Sequence, residues 1–207
     1  MTPRPLLIAL AAVLALAGGC SSAPVTRSYL LSATAPAPAE MAAKPVAVVV
    51  KDLTLPQYLD RSQIVTRGSG HRILVVENEL WAGNLHQDML RVLVENLGRL
   101  LASERVVAGP NALRLQPDFR VEVDVLRFER GVDGRVELAA RWWLTRGSED
   151  LLLASPTQTL YGPPLGEGAT YEALVASMSA VYGELAQAIA RSIQAGAASR
   201  PRALGAS

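Results

Sequence analysis

The apolar residues of this chain change period along its length. From Asn84 they recur one helical turn apart, at Leu85, Met89, Leu93, Leu97 and Leu101, with Leu90, Val94 and Leu100 widening the stripe. Between Phe119 and Leu144 they alternate, and after Thr170 the helical spacing returns at Leu174, Met178, Val181, Leu185, Ile189 and Ile193. A helix with an apolar stripe on one side needs something to cover it. Two such helices separated by alternating strands are covered most economically by one sheet. The pattern predicts an α/β (α+β) fold, a two-layer sandwich in which a mixed or largely antiparallel sheet carries two long helices on one face.

Local signals sharpen the elements. Asn84, with Gln87 three residues on, is a capping-box start for the first helix, which is expected to end near Ser103 ahead of Pro110. Thr170 is the expected N-cap of the last helix, Glu172 favours its dipole, and Gly196 is its expected C-cap. The β-branched run Val46 to Leu53 reads as a strand covered on both faces. Ser62 to Arg67 and Arg72 to Glu77 read as a hairpin around Gly68-Ser69-Gly70. Phe119, Val121, Val123 and Val125 alternate with charged residues until the parity slips, which places a β-bulge near Val125. Gly131 to Gly134 turn the chain into a partner strand with Val136, Leu138, Ala140, Trp142 and Leu144 on one face. A third strand lies within Leu151 to Tyr161 after the polar turn Arg146 to Asp150, with Pro156 marking an edge or a bulge.

The N-terminus sets the compartment. Arg4 precedes twelve apolar residues, Leu6 to Ala17, and small residues follow, so residues 1–19 read as a secretory signal. The run is too short for a permanent membrane span. Leu16-Ala17-Gly18-Gly19-Cys20 resembles a bacterial lipobox, in which the cysteine is acylated and becomes the mature N-terminus; the alternative is an ordinary signal with an incidental cysteine. Ser21, rather than Asp, follows Cys20, as in lipoproteins of the Gram-negative outer membrane. Residues 20–45 are read as the lipidated N-terminus and an Ala/Pro-rich tether, with Tyr29-Leu30-Leu31 as a short docking strand near 28–31. Residues 46–195 form a single domain, and residues 196–207 lack an apolar pattern and are expected to be disordered.

Composition removes several functions. The chain carries 20 Lys and Arg against 19 Asp and Glu, and loss of Arg4 with the signal leaves 19 against 19. Such a balance argues against a nucleic-acid binder. With Cys20 as the only cysteine there is no intrachain disulfide and no cysteine zinc site. His71 and His86 lack a second ligand at metal-binding spacing. No Gly-x-Ser-x-Gly elbow, Walker loop or dinucleotide fingerprint is present, and Gly68-Ser69-Gly70-His71 reads as a turn. No catalytic, cofactor or metal residue is expected.

Two features exceed what a scaffold needs. The loop Leu55-Pro56-Gln57-Tyr58-Leu59-Asp60-Arg61 offers an aromatic, an aliphatic and a charged pair, and either binds a partner through Tyr58, Leu59, Asp60 and Arg61 or folds Tyr58 and Leu59 onto the core. Trp143 must face the opposite side of its strand from Trp142, among Arg135, Glu137 and Arg141. It is covered by the stems of Arg135 and Arg141, by the Tyr29 region, or by another protein, and tryptophan is enriched at interface hot spots.

The stretches LPQYLDRSQIVTR and NELWAGNLHQDMLRVLVENLGRLL closely resemble the PqiC-type family of ABC-transport auxiliary lipoproteins. Ser28 to Leu31 resemble that family's first strand and Tyr171 to Ala176 its last helix, so the resemblance runs from about Ser28 to Ile193. It implies a non-catalytic periplasmic subunit anchored at the outer membrane. The implied partners are an MCE-domain protein of intermembrane lipid transport and its membrane permease, with a homo-oligomer as a further expectation and a contribution to envelope integrity. The alternatives are a structural envelope lipoprotein without a transport role and a periplasmic hydrolase, for which no residue speaks.

Overall fold

The computed structural model describes residues 25–109, 116–147 and 151–199. Its strands are β1 (Arg27–Tyr29), β2 (Val48–Thr54), β3 (Gln63–Arg67), β4 (Ile73–Trp81), β5 (Val106–Ala108), β6 (Phe119–Arg130), β7 (Val136–Arg146), β8 (Leu151–Ala154) and β9 (Thr157–Tyr161); its helices are α1 (Leu85–Leu100) and α2 (Tyr171–Ala198). The expectations for residues 1–19, Cys20, Pro110, the 148–150 part of the polar turn and the tail after Ser199 lie outside the described residues.

β6 is the hub of the sheet. Its alternating Phe119, Val121, Val123 and Val125 are buried, and its register against antiparallel β7 slips between Val125 and Arg127, which places the bulge at Leu126. Past the bulge Phe128 returns to the core. β2 and β3 both lie parallel to β6, with β5 parallel to β2, β4 antiparallel to β3, and β1 parallel to β4. β8 and β9 pair antiparallel with β7. The sheet is therefore mixed.

Several details depart from the sequence reading. The expected third strand divides in two at Ser155-Pro156, because proline has no N–H for the ladder; its carbonyl still accepts from the Trp142 N–H at 3.2 Å. β5 is an additional strand, too short to show a period. β2 is covered on both faces only over Val48 to Val50, and Lys51 and Asp52 are exposed where the register against β6 shifts. β1 begins two residues before the expected Tyr29 and stops at Tyr29. Leu31, expected in the docking strand, and Ala35, placed by composition in the tether, are 1% and 3% exposed and pack beside the helices.

Both helices start as their caps require. The Asn84 side chain accepts from the Gln87 N–H at 3.1 Å, and the Thr170 hydroxyl accepts from the Ala173 N–H at 3.2 Å. α1 ends at Leu100, short of Ser103, because Ala102 adopts a left-handed φ of 47°. Gly196 does not cap α2, which continues to Ala198 and is capped by Ser199. A Cβ at Gly196 would stand 3.0 Å from Leu153 and 3.1 Å from Phe119, so glycine there permits close helix-to-sheet approach.

The α1 and α2 stripes meet each other and the sheet. Leu85, Met89, Leu93 and Leu97 are buried with Leu174, Met178, Leu185 and Ile189 against β6 and β7 residues. Tyr182 lies at the junction, donating to the Met89 carbonyl at 2.9 Å with its ring centroid 5.9 Å from that of Phe128. α2, with a window of mean hydropathy 1.3, is long and apolar enough to cross a membrane, yet 72% of that window is buried inside the domain. It is a core helix.

Candidate partner-binding surface

The loop after β2 is a compact turn: Leu59 N–H donates to the Pro56 carbonyl at 2.9 Å, and Arg61 N–H to the Leu59 carbonyl at 2.9 Å. Pro56 presets the φ that starts such a turn. The turn drives Leu59 into the core, where it is 2% exposed. Tyr58 donates to Glu129 Oε2 at 2.7 Å. Glu129 is itself buried and accepts from Arg67 Nη2 at 2.6 Å, from Arg67 Nε at 2.9 Å and from the Phe128 N–H at 3.0 Å. A buried carboxylate is tolerated because its oxygens are filled by donors.

These contacts set the electrostatics. Burial, then the hydrogen bond to Glu129, pushes the Tyr58 phenol well above the usual tyrosine value. The hydrogen bond to Glu129 raises Arg67 above its ordinary value against the opposing effect of burial. Glu129 stands opposite Glu137 across the β6/β7 ladder, and each has its own arginine, since Arg127 pairs with Glu137 at 2.8 Å. Without those cations two facing carboxylates would repel.

Of the four loop residues singled out by sequence, Leu59 is therefore not a surface group, and Tyr58 is half-buried and committed to Glu129. Asp60 and Arg61 are exposed, each with one long contact: Asn84 Nδ2 to Asp60 Oδ1 at 3.4 Å and Arg61 Nε to Gln63 Oε1 at 3.3 Å. Beside them Leu53, Thr54, Leu55, Asn84, His86 and Gln87 line an open cleft of about 410 Å³. His86 takes part in a 2.7 Å hydrogen bond with the Leu53 carbonyl, which holds α1 to the end of β2.

Trp143 is half-buried, and the Arg141 guanidinium lies 5.9 Å from its ring centroid while Arg141 Nε donates to the Thr157 hydroxyl at 3.0 Å. This is a cation–π cover supplied within the chain. Trp143 is in register with Glu122, whereas Tyr58 reaches Glu129, seven residues further along β6 and about 20 Å away at strand rise. The structure leaves two separate patches. Among the described residues no group of three His, Cys, Asp or Glu side chains converges as a metal site. Ser69 is occupied by Arg72 at 2.8 Å in the hairpin turn.

Sequence reasoning overlooked Glu129, Arg67, Asp88 and Asn96. A signal existed for two of them: Asp88 and Asn96 are buried on α1 in phase with its apolar stripe, where a polar residue needs a partner.

The described residues form a mixed sheet backed by two core helices, with the buried carboxylates Glu79, Asp88 and Glu129 filled by tyrosine, arginine or backbone donors. Residues 29–190 match the model of the ABC-type transport auxiliary lipoprotein component, and the chain belongs to that family. It is 28% identical over 178 residues to the intermembrane transport lipoprotein PqiC of Escherichia coli (strain K12), covering 85% of this chain and 91% of that protein. In fold it is similar to a crystal structure from Xanthomonas campestris, with a TM-score of 0.65 and 16% identity over 84% of this chain and all (100%) of that one. A second crystal structure, of an uncharacterized protein, has a TM-score of 0.63 and 24% identity over 82% of this chain and 99% of its own. The protein is a transport-auxiliary lipoprotein.

Proposed function

We propose that this protein is a non-catalytic periplasmic subunit of an MCE-type intermembrane lipid transport system, anchored to the outer membrane through acylated Cys20 and contributing to envelope integrity. The observation that carries the reading is the likeness to PqiC, an intermembrane transport lipoprotein, along 91% of that protein's length. The chemistry of the described residues is in keeping with it: Glu79, Glu129 and Asp88 are each filled by tyrosine, arginine or backbone donors. Such groups pin a scaffold. The partner surface is assigned to Asp60, Arg61 and the Trp143 patch, with Tyr58 and Leu59 shaping the loop from beneath.

The test uses the tagged full-length protein in its own Gram-negative host. Cross-linking and purification are expected to recover an MCE-domain protein and its permease, and membrane fractionation to place the chain in the outer membrane. An Asp60→Lys/Arg61→Glu double change and Trp143→Ala, each checked by melting, are expected to lower that recovery. Detergent sensitivity in a deletion strain with no MCE protein recovered would instead support a structural envelope lipoprotein.

A further inference from the structure

Residues 30–35 leave the sheet after β1, so their backbone groups need partners outside any ladder. They find side chains of the two helices. The Leu31 N–H donates to Asp88 Oδ2 at 2.7 Å, the Ser32 N–H to Ser179 Oγ at 3.1 Å, and the Thr34 and Ala35 N–H groups share Asn96 Oδ1 at 3.0 and 2.8 Å. In return Arg91 donates to the Leu31 carbonyl and Arg99 to the Ala35 carbonyl, both at 2.9 Å. Just upstream, Glu79 accepts from Arg27 at 2.9 Å and from the Tyr29 phenol at 2.6 Å. α2 is cut back beneath the segment at Gly183, where a Cβ would lie 2.0 Å from Thr34 Oγ1.

This attachment differs in kind from the rest of the fold. Only Leu31 and Ala35 bury their side chains, while Leu30, Ser32 and Thr34 are exposed. The receiving groups are carboxylates, an amide, a hydroxyl and guanidinium groups, all of which water can satisfy once the segment leaves. Undocking therefore withdraws few apolar side chains from the core, chiefly Leu31 and Ala35, and leaves Asp88 paired with Arg91. From Leu31 to Ala35 these hydrogen bonds go to backbone atoms, so they hold an extended chain without demanding particular side chains.

We propose that residues 27–35 are a releasable strap that sets the reach of the membrane tether. The proposal rests on Cys20 being the anchor. With the strap docked, residues 21–26 alone separate Cys20 from the body, at most about 20 Å at the extended rise of the chain. With the strap released as far as the hydrogen bond from the Ala42 N–H to the Ala102 carbonyl, residues 21–41 span up to about 70 Å. The docked state holds the body against its membrane, and the released state lets the body meet a partner farther into the periplasm.

The strap can be locked. A Cβ at Gly183 would stand 3.4 Å from Thr34 Cβ, close to the separation across a disulfide, and Cys20 is the only native cysteine. The experiment compares the full-length acylated protein in supported bilayers with Thr34→Cys/Gly183→Cys, oxidised and reduced, and with Asn96→Leu, which removes the acceptor of two strap amides. Hydrogen exchange is read at residues 31–35 and in the α1 and α2 core, and the height of the body above the bilayer is read by neutron reflectometry. Wild-type strap amides are expected to exchange at least about 100-fold faster than core amides, as local opening allows. Oxidation is expected to abolish that difference and lower the mean height, and Asn96→Leu to speed strap exchange about 10-fold. Strap amides exchanging no faster than the core, or one height for all variants, would overturn the strap with the anchor intact. An intact mass showing Cys20 unacylated would overturn the anchor, and the reach with it.

Discussion

Tyr58 and Glu129, 71 residues apart in the chain, are joined by a 2.7 Å hydrogen bond that ties the loop after β2 to the far end of β6. Tyr58→Phe leaves Glu129 with Arg67 and the Phe128 N–H, so the expected cost is about 1 to 2 kcal/mol. Glu129→Leu leaves the Arg67 guanidinium without its anion in a half-buried site, and about 3 kcal/mol is expected. Urea denaturation of both variants checks the order. Equal, near-zero losses would mean that burial of Leu59 alone holds the loop.

Leu93 and Leu185 are fully buried where the two helices meet the sheet. Replacing either with alanine is expected to cost about 2 to 5 kcal/mol by lost burial and cavity formation. Melting temperatures and denaturant midpoints provide the measurement, and an unchanged midpoint for both would mean that these stripes do not face the core.

Ala102 holds a left-handed φ of 47° at the end of α1, a conformation that costs an L side chain free energy and glycine none. Ala102→Gly is expected to gain up to about 1 kcal/mol, net of the greater freedom glycine brings to the unfolded chain. Calorimetry should show a higher Tm. A drop would place the Ala102 methyl in a contact worth more than the strain.

Alkaline pH should weaken the fold. Burial and the hydrogen bond to Glu79 raise the Tyr29 phenol from 10.0 to about 12, and burial pushes Tyr58, Tyr171 and Tyr182 above the same ordinary value. Each phenol keeps its proton longer in the folded chain than in the unfolded one. Its contribution is therefore complete below pH 10 and declines as pH rises, for Tyr29 through about 12. Urea midpoints measured across that range, with tyrosinate absorbance followed in parallel, are expected to fall together. A flat midpoint would show that these tyrosines ionise without loss of stability.

Cys20 is expected to be the mature N-terminus, and intact mass of membrane-extracted protein is expected to begin there with acyl chains added. Cys20→Ala is expected to release the body from the membrane or to stall it as precursor. An unmodified chain cut elsewhere would remove the anchor.

The caps Asn84 and Thr170, the two helical stripes, the alternation of β6 and β7 and the slip near Val125 were legible in the sequence because each is a local matter of period or hydrogen-bonding chemistry. Trp142 and Trp143 show the boundary. Alternation alone assigns them to opposite faces, but it does not say that Arg141, two residues before Trp143, will turn its guanidinium onto that ring. Gly196 looked like a stop by composition and is instead a place where α2 passes close to Phe119, since a glycine's purpose depends on what approaches it.

What the sequence alone determined is the two helices, the long strands β6 and β7 with their buried faces, and the mixed α and β class, because apolar spacing dictates which side of each element must leave water. Tertiary structure alone decided that β2 and β3 share one edge of β6, that Leu59 is core while Asp60 and Arg61 remain outside, and that Leu31 to Ala35 lie across two helices. Those outcomes depend on backbone and carboxylate hydrogen bonds between residues far apart in the chain. Such bonds leave no period in a sequence, because a carboxylate such as Glu129 or Asp88 looks like any other charged residue until its donors are brought to it.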